Sequence, residues 1–201
     1  MAGNGFRPIG IEGRGYNGQL TPFWIAKNYA TSIFNGDPVM LVADGTIEVI
    51  NSVTDMNLGN MVGVFMGCEY VNATSTPTWN QYYPASQDVD GIIAYVAGTD
   101  PLTRYQAKFS ASGVDGTQLR AAIGFNFDID VTDDGSTDTG NSGYALETVG
   151  AAETTANFNL VGLANVDGGD SPSTASADTT YTHGIVIVEP TLHMYSNSTG
   201  I

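Results

Sequence analysis

Histidine and cysteine, which commonly carry catalysis or bind metals, are scarce in this chain. There are two histidines, His183 and His193, and one cysteine, Cys68. One copy of the chain therefore lacks the ligands for a zinc site of three histidines, of four cysteines, or of a cysteine pair with a histidine pair. The sequence also lacks the motifs of serine hydrolases and of nucleotide-binding loops. We interpret both histidines as surface or edge residues, and we expect neither an enzyme nor a bound cofactor.

An acidic segment, residues 130–141, is the best candidate for a metal site. Five of its residues fall at positions one, three, five, six and nine of a calcium-binding loop, namely Asp130, Thr132, Asp134, Gly135 and Asp138. Position twelve, which needs a bidentate glutamate, is Asn141 instead, and no flanking helices are evident. Aspartates among Gly, Ser and Thr also favour tight turns. We therefore favour a turn cluster without metal and keep calcium binding as the alternative.

A second candidate site is an aromatic segment. Residues 72–91 are predicted to form a long loop that carries Trp79, Tyr82 and Tyr83. Such side chains pack over a protein's own core, anchor protein interfaces, or stack on sugar rings, and we rank these interpretations in that order.

The charge of the chain limits its partners. Six Lys and Arg against 21 Asp and Glu give a net charge of -15, which repels nucleic acid and anionic membrane surfaces. No apolar run approaches the roughly 20 residues that cross a bilayer. The first ten residues do not resemble a signal peptide, so we expect synthesis and folding in a cytoplasm. Since residues 121–201 contain no Lys or Arg, the pattern indicates an acidic outward surface and a basic inner edge, although solubility alone also explains it.

The elements that must position these residues read as short strands. Twenty-five glycines and eight prolines interrupt the sequence, and apolar runs of strand length recur between them. Asp44-Gly45 predicts a hairpin turn between strands at 38–42 and 46–49. Further strands are predicted at 59–71, 92–97, 103–111, 144–149, 158–166 and 182–189. In the strand at 103–111, Arg104, Gln106 and Lys108 face away from the core.

We predict an all-β fold, a sandwich or small barrel(s) of short antiparallel strands with an extended N-terminal arm. The arm spans residues 1–22 and is too rich in glycine to form a regular element alone. Its apolar residues, among them Phe6, Ile9 and Tyr16, are expected to be buried against another surface. A β-rich domain follows at 23–201, and a division into two lobes would fall near residues 113–120.

The order of these signals resembles virion structural proteins encoded among the head genes of tailed bacteriophages. The most specific parts are the stretch at residues 29–47, with its Gly-Asp-Pro-Val and Asp-Gly-Thr-Ile sequences, and residues 63–70. The hairpin is similar to the small β-barrel units of phage head decoration, or cement, proteins. The resemblance covers most of the chain.

The resemblance implies a decoration protein on the outside of the phage head that is made in the host cytoplasm. Such a protein binds the major capsid protein and neighbouring copies of itself, as a dimer or trimer, without catalytic residues. Candidate interface residues are Phe6, Arg7, Ile9, Arg14, Tyr16, Arg104, Lys108, Trp79, Tyr82 and Tyr83. The first alternative is a phage tail or fibre component that contacts host glycans through the Trp79–Tyr83 loop. A secreted adhesin or surface-layer subunit, and an enzyme acting on host polysaccharide, are more remote alternatives.

Overall fold

The computed structural model describes residues 5–11, 14–110, 120–147, 156–164 and 183–196. These residues form an all-β fold of antiparallel sheets arranged as a sandwich, which confirms the predicted fold class. The strands of the described residues are, in chain order, β1 (Arg7–Ile11), β2 (Arg14–Gly15), β3 (Leu20–Ile25), β4 (Pro38–Leu41), β5 (Ile47–Val49), β6 (Met61–Val71), β7 (Pro77–Asn80), β8 (Ile92–Ala97), β9 (Thr103–Lys108), β10 (Asn126–Phe127), β11 (Ile129–Asp130), β12 (Ala145–Leu146), β13 (Phe158–Ala164) and β14 (His183–Val188). A short helix, α1 (Val53–Met56), and a 3-10 turn (Pro190–Leu192) accompany them.

The first large sheet has the strand order β10-β13-β14-β9-β1-β2. It joins the N-terminal strands to strands from the second half of the chain. Along β9, Tyr105 and Ala107 are buried while Arg104 is exposed, because successive side chains of a strand point to opposite faces. One face of this sheet therefore covers the core and the other carries polar and charged residues.

The second large sheet has the order β3-β8-β6-β4-β5, and β7 pairs with β6. The long central strand β6 shifts register against β8 between Phe65 and Gly67. At Gly63, which has a φ of 145°, a Cβ would lie 2.4 Å from the Ala97 carbonyl oxygen. Glycine therefore lets the two backbones approach closely. The Asp44-Gly45 turn joins β4 to β5, as predicted.

A single cluster of buried side chains takes residues from both large sheets. Phe6, Tyr105 and Phe158 come from the first sheet or its margin, while Phe65 and Val96 come from the second. Each sheet alone would expose this apolar surface, so joining the two provides the main stabilisation of the fold. Residues 113–119, where a division into lobes was expected, lie outside the described residues.

The N-terminal segment is extended, as predicted, but residues 7–11 belong to the first sheet of their own chain. Arg7 pairs with Gln106 and Gly10 pairs with Arg104, so β1 completes the ladder beside β9. Phe6 is 1% exposed, and its ring stacks on Phe158 with centroids 4.7 Å apart. The surface that buries Phe6 therefore belongs to its own chain. The edge of β9 supplies the hydrogen bonds and Phe6 the apolar burial that this glycine-rich segment lacks locally.

Two further expectations are corrected. Residues 77–80, predicted as part of a loop, form β7 and pair with β6 from Cys68 to Val71. His193, expected at the surface, is fully buried, and its Nδ1 accepts a hydrogen bond from the backbone N–H of Tyr195 at 3.3 Å. Burial lowers the pKa of His193 to about 4, so the ring is neutral at pH 7.

Candidate functional site

Three positively charged residues share the outward face of the first sheet. Arg104 and Lys108 alternate with the buried residues of β9. Arg7, on the neighbouring strand β1, pairs with Gln106 of β9. Paired residues on neighbouring strands point to the same side of a sheet. Half of the six basic residues of the chain therefore lie on one face, on adjacent strands that are remote in sequence.

The neighbouring strand β14 adds apolar surface to this face. Ile185 pairs with Gln106 and Ile187 pairs with Arg104, and both isoleucines are half-buried. We call this surface the basic face; it comprises Arg7, Arg104, Gln106, Lys108, Ile185 and Ile187.

The charges of the basic face differ in their surroundings. Arg7 and Arg104 are exposed, and neither forms a salt bridge with another of the described residues. Lys108 is half-buried, and burial lowers the pKa of its ammonium group while the charge of Asp133 acts in the opposite direction. The two arginines therefore present guanidinium groups to solvent, where a carboxylate can approach them in a bidentate geometry.

A second surface lies on the other large sheet. Trp24, Ile93, Glu69 and Trp79 are paired residues on β3, β8, β6 and β7, so they form one row across four strands. Trp24 is 56% and Trp79 is 57% exposed. The ring of Tyr95 lies 5.0 Å from that of Trp79 at an angle of 42°. We call Trp24, Ile93, Glu69, Trp79 and Tyr95 the aromatic row.

A glycine with positive φ helps to position the indole of Trp79. A Cβ on Gly67 would lie 3.2 Å from Cζ2 of Trp79, so the absence of a side chain lets this indole lie over β6 towards Tyr95. Gly67 has a φ of 147°, a value that L side chains rarely adopt. The backbone therefore fixes where the Trp79 ring can lie.

A groove of about 450 Å³ runs beside Trp79. Polar groups on its lining come from Glu69, Thr78 and Asp90, and apolar contacts come from Val71 and Ile93. The hydroxyl of Tyr95 donates a hydrogen bond to the carboxylate of Glu69, and this interaction raises the pKa of the phenol. The groove is open to solvent and combines apolar lining with a few hydrogen-bond acceptors.

Asp90, which lines the groove, also forms a salt bridge with Lys27. Lys27 Nζ lies 3.6 Å from Asp90 Oδ2 and 3.2 Å from Asp88 Oδ1. All three side chains are largely exposed, so this pair is screened by solvent.

The predicted interface residues are divided among several environments. Phe6 and Tyr83 are core residues, so the prediction that they contact a partner is corrected, and Tyr83 donates its O–H to the Tyr29 carbonyl at 3.1 Å. Tyr82 is half-buried and stacks on Phe34, with centroids 5.4 Å apart. Ile9 and Tyr16 are half-buried, while Arg14 is exposed on the edge strand β2. Of the remaining predicted residues, Arg7, Arg104 and Lys108 lie on the basic face, and Trp79 lies in the aromatic row.

Sequence reasoning missed Trp24 as a surface residue. Its signal was the alternation of exposed positions along β3, where Leu20, Pro22 and Trp24 point to the same side. Nothing local in the sequence indicates that β3 and β7 lie in the same sheet. Trp24 and Trp79 are therefore joined in one surface only by the long-range pairing through β8 and β6.

The acidic segment 130–141 uses its carboxylates within turns. Asp130 Oδ1 accepts from the Thr132 backbone N–H at 3.0 Å and from its hydroxyl at 2.7 Å. Asp133 Oδ1 accepts from the Gly135 N–H at 3.2 Å. Among the residues that the structure describes, no group of three or more His, Cys, Asp or Glu side chains is arranged to hold a metal ion. These hydrogen bonds are those of a turn cluster.

Comparisons of the chain with models of protein families, with curated proteins and with solved structures find no match. Within the described residues, no helix has the length and apolar character that a membrane-spanning helix needs.

Proposed function

We propose that this protein is a non-catalytic decoration subunit of a tailed-phage head, which binds acidic surface on the major capsid protein through its basic face. The observation that carries the proposal is the concentration of Arg7, Arg104 and Lys108 on one sheet face of a chain with a net charge of -15. The virion setting comes from the resemblance of residues 29–47 and 63–70 to phage head proteins.

Charge segregation gives the subunit a preferred orientation. Most of its surface repels an acidic partner, whereas the basic face attracts one, so electrostatic complementarity selects which side docks. The exposed guanidinium groups of Arg7 and Arg104 suit bidentate contacts with carboxylates. Because the two arginines lie on paired strands of one sheet, the fold holds them in a fixed relation to each other.

The apolar part of the basic face adds contact area. Ile185 and Ile187 are half-buried in the free chain, and covering them further would contribute about 25 cal/mol for each Å² of apolar area removed from water. A shell offers many identical sites, so modest contacts at each site are multiplied when neighbouring copies also touch one another. Neighbouring copies of the chain are therefore the second proposed partner.

The proposal is tested by separating virions of the encoding phage into heads and tails. We expect the protein in the head fraction, and we expect shells that lack it to rupture at lower temperature and under milder osmotic shock. Added protein should restore the resistance of such shells. Recovery with tails instead would overturn the proposal and favour the alternative of a tail or fibre component.

A further inference from the structure

We propose that the aromatic row is a binding site for an uncharged oligosaccharide. The site lies on a different sheet from the basic face, so it neither requires nor competes for the residues assigned to shell binding.

The spacing of the row suits an extended ligand. Trp24 and Trp79 are separated by three strand-to-strand steps, and neighbouring strands lie about 4.8 Å apart, so their backbones are roughly 14 Å apart. Both indoles are more than half exposed. The C–H faces of pyranose rings are apolar and flat, and they stack on such aromatic surfaces. Two stacking rings at this separation can bind sugar units of one chain that are not adjacent.

The polar groups of the row match the hydroxyls of a sugar. Glu69 lies between the two tryptophans in the pairing order, separated from Trp24 only by Ile93. Its carboxylate accepts hydrogen bonds, and Thr78 and Asp90 add further acceptors along the groove. A ligand stacked on the indoles would place its equatorial hydroxyls towards these oxygens.

The charges exclude anionic sugars. Glu69 and Asp90 are the carboxylates that line the groove within the described residues, and the chain as a whole is strongly acidic. Lys27 offsets Asp90 only across an exposed, screened pair. Sulfated, phosphorylated or sialylated glycans are therefore repelled. A cationic peptide is the competing occupant for the same carboxylates and rings, and the experiment distinguishes it from a sugar.

The test uses the full chain and four soluble probes, namely hexasaccharides of cellulose, chitin, mannan and laminarin. Binding is followed by tryptophan fluorescence and by calorimetry. We expect at least one probe to bind at millimolar or lower concentration, and we expect Trp24→Ala and Trp79→Ala each to weaken that binding by about tenfold or more. Phe125→Ala removes an exposed aromatic outside the row and serves as the control, with binding unchanged.

Four results would overturn the proposal. The first is the absence of binding by all four probes at millimolar concentration. The second is equal binding by both tryptophan variants and the wild type. The third is loss of shell binding in the Trp79→Ala variant, and the fourth is tighter binding of an oligolysine peptide than of any sugar. Either of the last two would make the row a protein interface. Since shell binding is assigned to the basic face, a folded tryptophan variant should still co-sediment with shells.

Discussion

Asp37 is a buried carboxyl group that forms no salt bridge with another described residue. The backbone N–H of Phe34 donates to its Oδ2 at 2.7 Å. Burial raises the pKa of Asp37 to about 7, and the charge of Asp134 acts in the same direction, whereas the hydrogen bonds from Phe34 and Ser142 lower it. The sequence predicted only the strand that begins at residue 38, because burial of the carboxyl depends on packing against the distant residue Ser142.

Replacing Asp37 by Asn should change the pH dependence of stability. The folded-state pKa of about 7 exceeds the usual 3.8, so the folded state binds the extra proton between these values. The stability that Asp37 contributes is thus complete below pH 3.8 and is lost as pH rises through 7. Urea unfolding measures the difference in free energy of unfolding between Asp37→Asn and the wild type. This difference should shift in favour of the variant between pH 4 and pH 8, by at most about 4 kcal/mol.

Two controls define that measurement. The first is Asp138→Asn, which removes an exposed carboxylate and so controls for the loss of one negative charge. His193, whose lowered pKa removes stability as pH falls from 6.5 towards 4, is present in both proteins and cancels in the comparison. If Asp37→Asn loses the same amount of stability at both pH values, the prediction is wrong. Asp37 would then matter as a fixed hydrogen-bonding group and not through its ionisation.

Strand β1 shows how an element with weak local signals becomes fixed by its partners. Its residues pair with β9, about a hundred positions later in the chain, and the residue before it, Phe6, enters the core. The alternation of apolar and polar residues identifies strands with one buried face, such as β9. It does not reveal with which distant strand a glycine-rich segment will pair. The register of β1 therefore could not be derived from the sequence.

The role of this strand leads to a stability prediction. Phe6→Ala should lower the free energy of unfolding by about 3–5 kcal/mol, because it removes a buried ring that stacks on Phe158. Deleting residues 2–18 should abolish cooperative unfolding, since it also exposes the edge of β9. Chemical denaturation measures both effects. Arg7→Ala, next to Phe6 but exposed, should stay within about 0.5 kcal/mol of wild type. A deletion variant with the wild-type melting temperature would contradict this prediction, because it would mean that the arm does not contribute to the stability of the fold.

The segment 130–141 gives a prediction about metal. Asp130 and Asp133 already accept hydrogen bonds from Thr132 and Gly135, which stabilise the turns without an ion. Adding calcium or a chelator should therefore leave the melting temperature unchanged, as calorimetry can show. A rise of many degrees with calcium would instead establish the calcium loop suggested by the spacing of its oxygen ligands.

In the whole molecule, composition and periodicity were sufficient for the fold class. Short apolar runs, abundant glycine and the Asp44-Gly45 turn predicted an antiparallel β protein, and the structure confirms it. Local patterns also placed Arg104 and Lys108 on the outward side of their strand. The surfaces could not be predicted, because each is assembled by pairing between distant strands: Arg7 joins Arg104 through β1 and β9, and Trp24 joins Trp79 through two intervening strands.

Charge asymmetry is the property of the whole molecule on which the proposed function depends. If the basic face docks on an acidic shell, binding should weaken as salt rises, since screening shortens the range of the attraction to about 10 Å at 0.1 M. The contact should also depend on where positive charge lies and not merely on the net charge of the chain. Variants with the same net charge but different positions of the changed residues separate these two explanations.

The decisive measurement is co-sedimentation of such variants with shells assembled from the major capsid protein of the encoding phage. The double variant Arg7→Glu/Arg104→Glu reverses two charges on the basic face, and Lys27→Glu/Arg120→Glu makes the same change in net charge elsewhere. Circular dichroism should first show that both variants are folded. We predict that the wild type and the control bind, while the basic-face variant loses binding by about tenfold or more. Equal binding by the two variants would contradict the account.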